Sequence, residues 1–70
     1  MRLNVNGEER VCTCGDLATL WRAETADLDL PNRKGFAIAL NGAVVRRDAW
    51  ETTPLNDGDR VEIIRAMQGG

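Results

Sequence analysis

Gly69-Gly70 close the sequence, and their type and place suggest chemistry more directly than any other pair. Glycine has no side chain, so a diglycine passes a channel too narrow for other residues and takes whatever backbone shape a cleft demands. Presented in this way, the Gly70 carboxylate is a handle that a reagent can reach. The competing reading is a frayed polar end, because termini are commonly loose. Histidine and tyrosine are absent, which removes the usual general base and the commonest metal ligand. Cys12 and Cys14 are the remaining soft groups, and two thiolates do not close a tetrahedral metal site. Two apart in a strand-like stretch, they point to one face. They read either as a thiol pair for redox or sulfur relay, or as two small apolar residues at a core edge. The second reading is preferred, since free cysteine is among the most buried residue types. A disulfide between them needs a strained backbone in an extended strand. With no Ser/His/Asp set, phosphate loop or paired-carboxylate signature, the chain is not expected to catalyse a reaction alone, and no catalytic residue and no metal site are expected.

Seventy residues make one small domain with a thin core, expected to span 1–70 with a flexible C-terminal tail over 67–70. Nine basic and eleven acidic residues are well mixed, for a net charge of −2. That argues against a nucleic-acid binder, which shows a basic patch or stripe; Arg33-Lys34 and Arg46-Arg47 are too short to form one. No apolar run approaches the ~18 residues of a membrane span. Met1-Arg2-Leu3-Asn4 lacks the apolar core of a signal peptide. A cytoplasmic protein with reduced thiols is expected.

The elements that must hold the tail follow from patterning. Leu3 and Val5 alternate with polar neighbours, as a half-buried strand requires. Asn6-Gly7 is a strong hairpin signal, and a second strand is predicted from about Arg10 to Cys14. A three-residue loop sets Val11 opposite Leu3 and a four-residue loop sets Cys12 there; the reading leans to Cys12 facing inward. Asp16 is a good N-cap for a helix over Leu17 to Ala26, with Leu17, Leu20 and Trp21 on one face. Trp21 is assigned to the core on that stripe. Asp27 to Gly35, containing Pro31 and Asn32, reads as a loop. Phe36 to Leu40 is a third strand, with Ile38 and Leu40 inward. Asn41-Gly42 turns into a short strand at Val44 and Val45, and Trp50 follows a polar break. Turn chemistry at Thr53-Pro54 and Asn56-Asp57-Gly58-Asp59 precedes a last strand over Arg60 to Ala66, with Val61 and Ile63 inward and Glu62 and Ile64 outward.

One helix must cover one face of the sheet to hide its apolar stripe. The fold class is α+β: a β-grasp (ubiquitin-like) mixed sheet packed on one main helix. Two hairpins flank the helix, and the last strand lies between the first and the third, parallel to the first. Such a central last strand anchors the base of the tail while Gln68, Gly69 and Gly70 project.

Several segments, in order and spacing, carry a resemblance across nearly the whole chain. They are the opening strand into Asn6-Gly7, Asp16-Leu17-Ala18, Ala39-Leu40-Asn41-Gly42 and Val45-Arg46-Arg47-Asp48-Ala49-Trp50. Leu55-Asn56-Asp57-Gly58-Asp59 and the run from Val61 to Gly70 complete the set. The chain resembles the ThiS family, sulfur carriers of thiamine (thiazole) biosynthesis in the ubiquitin-like β-grasp superfamily. Arg46 departs from the family, which often has proline there, and the loop Asp27 to Gly35 is longer than usual.

The resemblance implies that a ThiF-like adenylating enzyme, using ATP and magnesium, activates the Gly70 carboxylate. A persulfide donor charged by a cysteine desulfurase then delivers sulfur, and the Gly70 thiocarboxylate passes it to a ThiG-like thiazole synthase. The carrier itself binds no cofactor and is a monomer when free. Ala37, Ala39, Ile64 and Ala66 are expected to share the sheet face away from the helix, an apolar patch of the kind that marks a partner site, with Met67 at the tail's root. The plainer reading is a shallow surface of small residues. Arg47 and Trp50 are expected to be structural. Alternatives are a MoaD-like or other thiocarboxylate carrier (for molybdopterin, cysteine or a natural product), a protein modifier joined through Gly70, or a small thiol protein using Cys12 and Cys14. Ala66-Met67-Gln68 lacks the proline of many MoaD-like tails.

Overall fold

The computed structural model describes residues 1–26 and 33–65. Strands β1 (Arg2–Val5), β2 (Glu8–Val11), β3 (Phe36–Leu40), β4 (Ala43–Val45) and β5 (Arg60–Arg65) form one sheet with helix α1 (Leu17–Glu24) between the hairpins. The strand order is β2-β1-β5-β3-β4. β1 and β5 run parallel, and the other neighbours are antiparallel. This is the β-grasp order expected from the sequence, with the last strand at the centre.

The first hairpin is tighter than predicted. Asn6 (φ 52°) and Gly7 (φ 82°) are its whole turn, the positive-φ pair that matches the twist of adjoining strands. Val5 therefore pairs with Glu8, and Leu3 with Arg10. Neither Val11 nor Cys12 lies opposite Leu3, and β2 is Glu8–Val11 rather than Arg10 to Cys14. The inward positions of this edge strand thus carry Glu8 and Arg10. The helix does not cover them; Arg10 reaches Glu8 at 3.0 Å and Glu24 of α1 at 3.5 Å. Charges pointing inward on an edge also discourage strand addition by other molecules.

Asp16 caps α1 as expected: it is extended (φ −148°, ψ 170°), and its side chain accepts from the Thr19 N–H at 2.8 Å. The helix stops at Glu24, short of the predicted Ala26. Thr25 donates both its N–H (3.0 Å) and its hydroxyl (2.7 Å) to the Trp21 carbonyl, closing the last turn. The predicted loop to Gly35 ends in a short 3₁₀ turn, Arg33–Gly35, and its residues 27–32 lie outside the described ones.

A second 3₁₀ segment, Arg47–Thr52, was not predicted. It drives Trp50 fully into the core, where the ring nitrogen donates to the Val45 carbonyl at 3.0 Å. Trp50 and Trp21 lie 5.7 Å apart, and Trp21 meets Phe36 edge-on at 5.6 Å. With Leu3, Val5, Leu17, Leu20, Ile38, Leu55 and Val61 these rings make the core between sheet and helix. Trp21 is therefore a core residue, as its place on the stripe implied. Among the described residues no helix is long and apolar enough to cross a membrane.

Candidate functional site

The chain that leads to the diglycine leaves from β5, so the site begins with what fixes that strand. β5 pairs with β3 from Val61 to Arg65, along five positions. Two asparagines add side-chain bonds where the ladder would otherwise end. Asn6 continues β1 by donating its N–H to the Val61 carbonyl (2.9 Å), and its side-chain oxygen accepts from the Ile63 N–H at 2.8 Å. Asn41 accepts from the Arg60 N–H at 2.9 Å through its side chain and donates its own N–H to the Arg60 carbonyl at 2.7 Å. The turn before β5 is tied to β1: the Arg2 N–H donates to Asp57 at 2.6 Å, and the Gly58 N–H to the Arg2 carbonyl at 2.7 Å. Each partner satisfies a backbone group that would otherwise depend on water. β5 is thereby held at the centre of the sheet. Ala66, Met67, Gln68, Gly69 and Gly70 lie outside the described residues.

The outward sheet face carries part of the expected patch. Ala37 pairs with Ile64, and Ala39 with Glu62 on one side and Val44 on the other. Ala37 is exposed and Ile64 is 51% exposed. Ala39, by contrast, is only 8% exposed, because the longer side chains paired with it overhang its methyl group. It forms the floor of the face rather than contact surface. The sequence reading missed Val44, which is 76% exposed on this face. The signal was present: a two-residue Asn41-Gly42 turn pairs Leu40 with Ala43, which sets Val44 beside Ala39. Beside β4, a groove of about 480 Å³ is lined by Phe36, Ala37, Val44, Val45, Arg46, Arg47 and Asp48. Arg46 pairs with Asp48 at 3.2 Å, and the Arg47 guanidinium donates to the Lys34 carbonyl at 3.4 Å.

Cys12 and Cys14 are free thiols; Cys14 is buried and Cys12 is half-buried against the core. Both follow β2 rather than lying in it, yet Cys12 does turn inward. Burial, with a hydrogen bond to the Cys12 thiol as the next cause, pushes the Cys14 thiol above its ordinary pKa. A raised pKa keeps a thiol protonated and unreactive, which fits packing better than sulfur relay. Among the described residues no group of three or more His, Cys, Asp or Glu side chains could hold a metal ion.

The same architecture occurs in solved structures. The crystal structure of the thiamine biosynthesis protein ThiS from Geobacter metallireducens superposes with a TM-score of 0.73 at 30% identity, over 100% of both chains. The solution structure of a thiamine biosynthesis protein from the same organism gives 0.71 at 30% identity, over 100% of this chain and 88% of the other. No curated protein matches the sequence at a significant level. The sequence profile of the ThiS family matches residues 3–70, so strands, helix and diglycine together fall within it. The chain belongs to the ThiS family.

Proposed function

We propose that the chain is a sulfur carrier of thiamine biosynthesis whose working group is the Gly70 carboxylate. The observation that carries this reading is the family match over residues 3–70, which takes in the diglycine as well as the fold. A carboxylate is a poor electrophile because its negative charge repels nucleophiles. Attack of the Gly70 carboxylate on the α-phosphorus of ATP, with loss of pyrophosphate, gives an acyl adenylate that is neutral at carbon and has a good leaving group. This step belongs to a ThiF-like adenylating enzyme with its magnesium. The terminal sulfur of a persulfide, charged by a cysteine desulfurase, then displaces AMP to form an acyl disulfide. A thiol reduces the S–S bond by two electrons and leaves a thiocarboxylate on Gly70. Sulfur in that group is a soft nucleophile, which a ThiG-like thiazole synthase accepts. Gln68 and Gly69 supply the narrow approach through which the enzymes reach it. ATP and magnesium act in the partner, and the carrier works as a co-substrate in the cytoplasm.

The test is intact-mass spectrometry after incubation with ATP, magnesium, the adenylating enzyme and a persulfide donor. The expected result is a gain of about 16 Da, sulfur for oxygen, lost when Gly69 and Gly70 are removed. No gain on the full chain would overturn the proposal.

A further inference from the structure

We propose that the groove beside β4 is the docking site for an extended, acidic and partly apolar segment of the enzyme that activates Gly70. This rests on the carrier reading and adds the surface and the chemistry of the contact. The groove has two kinds of wall. Phe36, Ala37, Val44 and Val45 supply an apolar side, and Arg46 and Arg47 face one carboxylate, Asp48. The groove is therefore locally positive in a chain whose net charge is −2. A basic segment is repelled there, and a free phosphate leaves the apolar side unused. A peptide carboxylate beside an apolar side chain satisfies both walls.

The groove is open to such an exchange. The Arg46–Asp48 pair is highly exposed, with side chains 84% and 71% accessible, and exposed pairs of this kind hold weakly. A partner carboxylate can take the Arg46 guanidinium in two-point geometry at small cost. β4 is also the sheet edge. Leu40 and Ala43 flank the two-residue turn and exchange ladder bonds, so the alternation of an antiparallel pair turns the N–H and C=O of Val44 outward. An extended segment can add its backbone at that point.

The location suits an activating enzyme. Phe36, in the groove, pairs with Arg65 at the end of β5. The five residues 66–70 that follow span at most about 17 Å. An enzyme that grips the groove therefore has its catalytic cleft within one tail length.

Binding of the chain to its adenylating enzyme, measured by calorimetry, tests the assignment. Arg46→Glu and Val44→Asp should each weaken binding at least about tenfold, because each sets a negative charge against an acidic segment. Arg60→Glu, an exposed charge at the far end of β5, should stay within about twofold. All three positions are exposed, so the fold should survive, as circular dichroism will check. If both groove variants bind within twofold of the parent, or if the parent does not bind the enzyme at all, the assignment is overturned. Mass gain at saturating enzyme is read separately. A parent chain that binds through the groove yet gains no sulfur refutes the carrier reading and leaves the groove standing.

Discussion

Single side chains do much of the work of fixing this fold. Asn6 has a positive φ in the hairpin turn, and its amide oxygen accepts from Ile63 on the central strand. The pattern Asn-Gly announces the turn, but nothing local announces a partner 57 positions away. Asp16 is the opposite case, since its role was legible from its place before an apolar stripe. Hydrogen bonds from Thr19, backbone first, hold its carboxyl below the ordinary range. A carboxyl depressed by folding stabilises the fold fully above its unfolded pKa, and that contribution is lost as pH falls through the folded value. Asp16→Ala should therefore lower the melting temperature by a few degrees at neutral pH, with the deficit shrinking in acid. Asp16→Asn keeps the acceptor and should retain most of the neutral-pH stability while losing this acid dependence. Thermal melts of the three proteins between pH 2 and 7 would check both outcomes; parallel curves for parent and Asp16→Asn would contradict the capping argument.

At the scale of elements, legibility followed the density of apolar residues. β3 and β5 alternate cleanly, and α1 has a cap and a stripe, so each was located to within a residue or two. β2 was misplaced because Glu8-Glu9-Arg10 offers no apolar position. Its strand character comes from the turn and from pairing with β1, and its inward charges are tolerated because Arg10 meets Glu24 beyond the helix edge. The 3₁₀ segment Arg47–Thr52 escaped notice for a related reason. Its core anchor is Trp50 alone, and one anchor makes no period. That anchor matters out of proportion to the segment's length. Trp50 is fully buried, touches the Trp21 ring and bonds the end of β4. Trp50→Ala should cost about 3–5 kcal/mol, against a total of roughly 4–10 kcal/mol for a chain of this size. Trp50→Phe refills part of the space but loses the donor to Val45, so its cost should be smaller. Urea midpoints order the predictions as parent, Trp50→Phe, Trp50→Ala; a midpoint for Trp50→Ala close to the parent's would mean that the segment does not anchor the fold. The outward sheet face was half legible. Alternation gave Ala37 and Ile64, but the overhang that covers Ala39 and the exposure of Val44 depend on which strands lie side by side.

The whole molecule divides its labour along β5. One end of the strand is locked by Asn6, Asn41 and the turn at Asp57-Gly58. Its inward residues Val61 and Ile63 join the core. Among the described residues the core is built from Leu3 to Val61, with Ile63 packed against it, while the proposed chemistry lies at Gly70. Gly70→Ala separates the two. The substitution adds one methyl group at the last residue, and the urea midpoint is expected to match the parent's within error. The same methyl group stands beside the carboxylate that an enzyme must reach through a channel fitted to glycine, and it restricts the backbone shapes open to the last residue. Sulfur loading should therefore slow at least about tenfold, the penalty expected when a reacting group is held out of line. Time courses of mass gain, with the denaturation curves beside them, give the answer. Equal loading rates would show that the terminal glycine is not selected for passage, and a shifted midpoint would show that the end of the chain shares in the core's stability.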